Sequence, residues 1–506
     1  MLQRNQSVAI VGAGIVGVCT AYHLQQAGYR VTLIDRDAVA AGASHGNAGC
    51  INPSSIIPVA MPGVLKKMPS WLLDPDGPLV LRPAYLPTML PWLIRFLAAA
   101  DAARVAHHVT ALRTLAGSAL RESLALAQAV GAGHLLRSAG HLIAYSTQAA
   151  YDGDIDAMQR RIVEGVVVED IDRDALRARE PHLADQFLRA RYIGETGHVI
   201  DPAAYARHIA RHVLANGGTY LRVNVRGIAM RDGRAIGVET DTGVIATDAD
   251  TIVVAAGAWS GALARGVGDR VLLDTERGYH IEIPHGRPMP ADVGRKVQGA
   301  GSVASGAQGK TFLAQDEVVG AMEAMGLPQD LAPIGPRIPT LWAEAKIFAT
   351  PMAGRVRAAG TVELAGLKAP ANWRRTDLLA RQLARMYPAL APTISKIAIW
   401  EESRVDAAPR DAASINTPCV KGNTSTETTQ IDAPCMPRRW LGFRPSTPDS
   451  LPVIDRSPRA RNLIYAFGHG HIGLTCGPAT GRLVAELVAD EAPTIDLRPF
   501  AITRFQ

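Results

Sequence analysis

Six residues near the start of the chain, Gly12-Ala13-Gly14-Ile15-Val16-Gly17, have the spacing that lets a backbone wrap a pyrophosphate. Gly12 allows a tight turn, Gly14 lets the main chain approach the ligand, and Gly17 lets the following helix pack on the preceding strand. That helix turns its positive end and its free N–H groups towards the phosphates. Asp35 closes the next strand, where its carboxylate can accept hydrogen bonds from an adenosine ribose. A glycine-rich turn in an unrelated α/β fold is the alternative; strand, turn, helix and acid in this order argue against it. NAD and FAD share the fingerprint, so the choice between them falls to the rest of the chain.

Four further stretches place small residues and hydrogen-bonding groups where a flat ligand could lie. Ala41-Gly42-Ala43-Ser44-His45-Gly46-Asn47-Ala48-Gly49 follows soon after Asp35, with Ser44 and Asn47 as hydrogen-bonding groups; a surface turn is its other reading. Val253-Val254-Ala255-Ala256-Gly257-Ala258-Trp259-Ser260 is an apolar strand ending in small residues. Leu441-Gly442-Phe443-Arg444-Pro445-Ser446-Thr447-Pro448-Asp449 comes late, and Phe467-Gly468-His469-Gly470-His471-Ile472-Gly473-Leu474-Thr475 leads into the last helix. Taken in order, the five stretches resemble the D-amino acid oxidase family of flavoproteins, nearest its bacterial D-amino acid dehydrogenases. The resemblance covers nearly the whole chain, including Arg82-Pro83 to Leu97 and Arg277-Gly278-Tyr279, and leaves out two irregular segments. Gly46, preceded by His45, stands where the dehydrogenases often have Ala, a departure towards the sarcosine-oxidase-like branch.

The resemblance implies FAD rather than NAD. It places the cofactor against Gly12, Ala13, Gly14, Ile15, Val16, Gly17, Asp35 and Arg36, against Ser44, His45, Asn47, Ala48 and Gly49, against Val225 and Ala256-Gly257, and against Gly470, His471, Ile472, Gly473, Leu474 and Thr475. It also implies that Arg444 holds a substrate carboxylate. A planar guanidinium makes two parallel hydrogen bonds to a carboxylate, which a lysine cannot do; a structural ion pair is the alternative. Tyr279 is a candidate substrate contact or else a core tyrosine, and His471 joins these as a candidate catalytic residue. The implied reaction is oxidative deamination of an amino acid, a D-amino acid first, to a 2-oxo acid and ammonia. Hydride would pass to flavin N5, and the electrons to a quinone or respiratory acceptor. Two alternatives remain open: a glycine- or sarcosine-type oxidase of secondary amines, and a catalytically inactive flavin-binding or electron-transfer subunit whose insertions contact partner chains. His469 and His471 invite a metal reading, but no carboxylate or cysteine accompanies them at ligand spacing, and no metal is expected.

These residues need elements to hold them. A strand from Val8 to Val11, a helix from Ile15 to Gln26 and a strand from Arg30 to Ile34 make a β-α-β unit with parallel strands. Arg82 to Val130 has helical spacing, and strands follow at His141 to Tyr145 and near Val166 to Val168. A helix from Ala203 to Asn216 precedes strands at Tyr220 to Val225, Ala235 to Thr240 and Thr251 to Ala255. The chain ends with a strand at Leu463 to Phe467 and a helix from about Pro478 to Asp490. Two segments break the rhythm and are expected to be insertions: 291–341, rich in Gly, Ala and Pro, and 403–437, rich in Thr, Asn, Asp and Pro. The expected fold class is α/β, with a Rossmann-like FAD-binding domain and a second α+β cap domain on a large mixed sheet. The FAD-binding domain would take 1–80, 195–270 and 440–506, and the cap 81–194 and 271–439.

Composition fits a globular chain: 506 residues, 47% apolar and 20% charged, with 47 Gly and 33 Pro. The net charge of +6 carries no block of like charges, so no nucleic-acid partner is expected. Cys19, Cys50, Cys419, Cys435 and Cys476 are too scattered for a disulfide framework, although Cys419 and Cys435 could bridge in an oxidising setting. A cytoplasmic location is expected. Tyr85 to Ala100 is apolar but broken by Pro87, Pro91 and Arg95, too short to span a bilayer. Core packing is the default for Trp92, Leu93, Phe96 and Leu97, and a peripheral contact with the inner face of the membrane is the alternative.

Overall fold

The computed structural model describes residues 6–63, 74, 77–246, 249–284, 334–395 and 437–505. Two sheets carry the architecture. The first has six strands in the order Thr219–Arg222, Arg30–Asp35, Ser7–Val11, Thr251–Val254, Leu463–Phe467 and Val453–Arg456. The first five are mutually parallel and the last antiparallel. Buried on both faces, the central strands Ser7–Val11, Thr251–Val254 and Leu463–Phe467 read as apolar runs rather than alternating ones, as parallel strands do.

Helix Ile15–Gln26 and the last long helix, Gly473–Val488, cover one face and pack closely on each other. Glycine makes that approach possible, because a Cβ on Gly481 would stand 2.6 Å from the backbone of Cys19. The opposite face is covered by a three-stranded sheet, Val225–Arg231, Arg234–Thr240 and Gly243–Ala246.

The second sheet is mixed and has nine strands. Its order is Arg438–Ser446, Asp274–Pro284, Arg355–Leu364, Ile347–Met352, Thr340–Trp342, His141–Tyr145, Arg189–Ile193 and Glu169–Ile171, with Leu79–Leu81 paired to the end of Arg355–Leu364. Alternation in Asp274–Pro284 decides what faces where. Tyr279, Ile281 and Ile283 point to a core closed by helix Arg374–Met386 through Leu379, Leu383 and Met386. Gly278, His280 and Glu282 point the other way, towards the 44–49 loop.

Several boundaries differ from expectation. Thr340–Trp342 is a strand of the large sheet, so the end of the expected 291–341 insertion is sheet; its proline- and glycine-rich approach, Gly335-Pro336-Arg337-Ile338-Pro339, hides that short strand. Residues 291–333 and 403–436 lie outside the described residues, as do Cys419 and Cys435. The strand expected near Val166 to Val168 falls at Glu169–Ile171. The last helix starts at Gly473 rather than Pro478, with Pro478 inside it; the glycines ahead of the proline mimic a turn. Strand Arg438–Ser446 runs across the expected domain boundary at 440 and lies wholly in the large sheet. Among the described residues no helix is long and apolar enough to cross a membrane. Trp92 and Phe96 stack in a small core, while Leu86, Leu90 and Ile94 on the same helix stay exposed.

Burial holds four histidines neutral. His23 and His198 are pulled down to about 4, and His141 and His469 to about 3. Below their ordinary value near 6.5 the unfolded chain binds protons that the folded one refuses, so each lowers stability as pH falls towards its folded value. Glu180, pushed up to about 8 by burial, acts in the opposite sense. Four outweigh one. The unfolding free energy from urea titration should therefore be lower at pH 5 than at pH 7.5, by about 1.4 kcal/mol per pH unit for each net proton. A flat profile would show that these histidines are not buried in neutral form.

Candidate active site

A cavity of about 690 Å³ opens where the carboxyl ends of the parallel strands meet the large sheet. This is where open α/β sheets bind ligands. One wall is the nucleotide turn. Gly12 has φ +114°, and a Cβ there would collide with the Ala255 carbonyl oxygen; a Cβ on Gly17 would collide with the Gly12 carbonyl. Gly14 is the N-cap of the first helix and has no side chain to cap the first-turn N–H groups behind it. Ser44 Oγ accepts the Ile15 N–H at 2.8 Å and so pins the 41–49 loop to that turn. Asp35 accepts the Ala13 N–H at 2.7 Å and the Asp37 N–H at 3.0 Å; burial raises its pKa and these hydrogen bonds oppose the rise. Arg36 lies 3.9 Å over the Trp259 ring, both on the cavity wall.

The far end is built on the strand pair Asp274–Pro284 and Arg438–Ser446. Gly278 stands opposite Gly442 in register, and this pair of glycines makes a flat notch. Arg444 lays its guanidinium over Gly278, 2.6 Å from where a Cβ would be. Trp440 lays its indole over Gly442, stacks on His280 at 5.1 Å and fills the space beside Gly46. Arg444 is half-buried and lines the cavity, and its guanidinium makes no hydrogen bond or ion pair among the described residues. Burial pulls its pKa down, while the charge of Glu276 opposes that.

Most of the expected site residues come together here. Gly12, Gly14, Ile15, Val16, Asp35, Arg36, Ser44, Asn47, Ala48, Val225, Ala256, Gly257, Gly470, His471, Gly473 and Leu474 line the cavity with Arg444 and Tyr279. Others do not reach the wall. Ala13 turns its N–H to Asp35, and Gly17 serves the contact between helix and turn. His45 is exposed beside Trp440, at 6.5 Å between ring centroids. Gly49 packs its α-carbon against Val199 and Met352, and Ile472 is buried at the cap of the last helix. Thr475 accepts the Asn52 N–H and so ties the last helix to the 50–52 stretch.

Tyr279 needs a correction of role. Its hydroxyl is buried, donates to Glu363 at 2.5 Å and accepts the Asn372 N–H at 2.9 Å, so only the ring side reaches the cavity. His471 meets Ser55 Oγ at 3.1 Å, and burial lowers its pKa. His469 points elsewhere, to Thr480 Oγ1 at 2.9 Å. Among the described residues no cluster of three His, Cys, Asp or Glu side chains could hold a metal. Trp440, Phe443, Gly278, Ala359, Leu367 and Lys368 also line the cavity and were not expected. Trp440 could have been found as the residue two before Gly442 on one strand face.

The profile of the DAO family, described as FAD dependent oxidoreductase, matches residues 7–416 and 425–487. The chain belongs to this family. A D-amino-acid oxidase from Bradyrhizobium diazoefficiens is 35% identical, covering 100% of both chains. A D-amino acid dehydrogenase from Agrobacterium fabrum is 27% identical over 99% of each. Among solved structures, glycine oxidase from Geobacillus kaustophilus superposes with a TM-score of 0.62 at 19% identity, covering 99% of each chain. The family's cofactor is FAD, and the cavity fits it. Two helix N-termini whose own N-cap residues, Gly14 and Ile472, supply no capping side chain open onto one cavity, and their N–H groups, apart from that of Ile15 held by Ser44, face anionic or electron-rich atoms there. Asp35 keeps lone pairs for a ribose, and the small residues at 41–48 leave room for a planar ring.

Replacing Asp35 with Ala should weaken FAD binding about tenfold to a hundredfold, the scale of losing hydrogen bonds to a charged group. Flavin retention through gel filtration against free-FAD titration measures it. Unchanged retention would place the ribose elsewhere.

Proposed function

We propose that this protein catalyses FAD-dependent oxidative deamination of a D-amino acid to a 2-oxo acid and ammonia. One observation carries the reading: the unpartnered Arg444 guanidinium, held flat over Gly278 inside the cavity that also contains the nucleotide turn. A charge with no protein partner in a partly dry site is costly unless a ligand supplies the counter-charge. A carboxylate is the natural counterpart of a planar guanidinium. Relatives named D-amino-acid oxidase and D-amino acid dehydrogenase support the D-amino acid.

FAD held by the Gly12–Gly17 turn and the 41–49 loop would supply a two-electron acceptor for hydride from the substrate α-carbon. The protein's contribution is position. Arg444 fixes the carboxylate by two hydrogen bonds, so that the α-carbon is presented in one orientation, which is a large share of the barrier reduction in such a step. Trp440 and Phe443 wall off water beside it, which strengthens every charge interaction within. Tyr279 positions rather than reacts: with Arg82 at 2.8 Å and Arg277 at 3.3 Å it anchors the buried Glu363 under the notch. The N-terminus of Gly473–Val488 directs its dipole at the cavity, favouring electron-rich atoms there.

The same reading assigns 1–80, 195–270 and 447–506 to the FAD-binding domain and 81–194 and 271–446 to the cap, the boundary falling after strand Arg438–Ser446, which carries Arg444 and lies in the large sheet. The acceptor we propose is a quinone or other respiratory carrier, supported by the dehydrogenase names among the relatives. Exposed Leu86, Leu90 and Ile94 on one helix suit an apolar carrier's surroundings.

Anaerobic addition of D-alanine should bleach the bound flavin, and the carrying residue is tested beside it. Arg444→Ala should retain FAD and lose about 3–5 kcal/mol in kcat/KM, the scale of breaking a desolvated charge pair. Gly278→Ala, whose Cβ would stand 2.6 Å from the guanidinium and displace it, should act in the same direction. Full activity in Arg444→Ala removes the carboxylate anchor; bleaching by sarcosine in place of D-alanine replaces the substrate class.

A further inference from the structure

Glu276 stands directly opposite Arg444 in the register of the two strands, so both side chains leave the same face of the sheet. Cross-strand neighbours of opposite charge lie within reach of each other and pair readily. These two do not. No ion pair within 4.0 Å joins them, because Arg444 lies over Gly278 while Glu276 Oε1 accepts the Ser446 hydroxyl at 2.7 Å. That hydroxyl is the one hydrogen-bond partner of Glu276 among the described residues. Glu276 is 8% exposed, and a carboxylate so buried without a cation is expensive to keep.

The space beside it suggests what it is kept for. Glu276, Ser55, Ser446, Ser450 and His471 line a pocket of about 10 Å³ that shares His469, Gly470 and His471 with the main cavity. That is room for one water-sized group, and an ammonium is such a group. His471 does not supply the missing cation, since burial favours its neutral form and Ser55 holds its Nε2.

We propose that Glu276 is the seat of the substrate's α-ammonium group, so that Arg444 and Glu276 together read a zwitterion and not a carboxylate alone. This rests on the amino-acid reading above and names its second recognition point. An amino acid carries its two charges on one carbon, and the protein holds an acid and a base apart on neighbouring strands to receive them. With both charges bound at this end of the notch, the substrate side chain is left the Trp440 end, where the lining is apolar.

The test uses FAD-loaded protein and two ligands that cannot be oxidised. 2-Aminoisobutyrate is a zwitterion without an α-hydrogen; isobutyrate has the same carbon frame without the amine. Calorimetric titration should show wild type preferring 2-aminoisobutyrate. Glu276→Gln keeps an oxygen for Ser446 and removes the charge, and it should lower that preference at least tenfold with isobutyrate binding no weaker. Ser446→Ala, which retains the charge, should keep the preference, and Arg444→Ala should weaken both ligands. A Glu276→Gln protein that retains FAD and keeps the wild-type preference overturns the proposal. Wild type that binds both ligands equally overturns it without any variant, and leaves the Arg444 anchor standing. Wild type that binds neither sinks the amino-acid reading together with it.

Discussion

The register between Asp274–Pro284 and Arg438–Ser446 sets the reacting end of the cavity. It puts Gly278 against Gly442, and only with both side chains missing can two planar groups lie flat on the strands from opposite directions. A slip of one residue would send Arg444 and Trp440 to the core face and bring Phe443 and Leu441 in their place. The core face forbids that slip, because Tyr279, Ile281 and Ile283 are packed against helix Arg374–Met386. Packing on one side of the sheet thereby dictates chemistry on the other.

The two sheets are joined at the loop that borders the cavity. Nδ1 of His280 lies 2.8 Å from the Gly46 carbonyl oxygen, and as that oxygen can only accept, the proton is on Nδ1. Arg357 donates to the Asn47 carbonyl and is itself held by Glu282, at 2.6 Å in a pair that is largely buried. Such a pair adds little net stability over apolar packing. Its value is specificity of position: two backbone carbonyls of the 44–49 loop are fixed from the large sheet while Ser44 fixes the loop to the nucleotide turn. Gly46 is explained by the same region, since Trp440 occupies the room a side chain would need.

The nucleotide end was legible because its signals are local. Gly12, Gly14, Gly17 and Asp35 lie within one β-α-β unit whose strands and helix the apolar pattern marks, and helix Ile15–Gln26 falls where it was expected. At the glycine notch only Arg444 was singled out beforehand, and that through resemblance. Glu276 and Trp440 escaped because their meaning depends on a pairing between distant strands, which composition and periodicity do not encode. Alternation along Asp274–Pro284 separates the core face from the site face, yet without the partner strand it does not say which face meets a ligand. Tyr279 stayed open between substrate contact and core for the same reason: it is on the strand of the site, and its hydroxyl serves Glu363. Thr475, Gly49 and Ala13 belong to the layer behind the wall, where a motif constrains the backbone rather than contacts a ligand.

The contact between Gly481 and Cys19 has a consequence for biosynthesis. Helix Ile15–Gln26 is completed by helix Gly473–Val488, which leaves the ribosome much later, and strand Ser7–Val11 is flanked by Arg30–Asp35 and by Thr251–Val254, which in turn needs Leu463–Phe467. Contacts so distant in sequence form slowly, and until they form the early apolar strands have no partner. Until Leu463–Phe467 has emerged the parallel sheet keeps an open edge, and the cavity, whose wall draws on both early and late segments, has no complete lining before then.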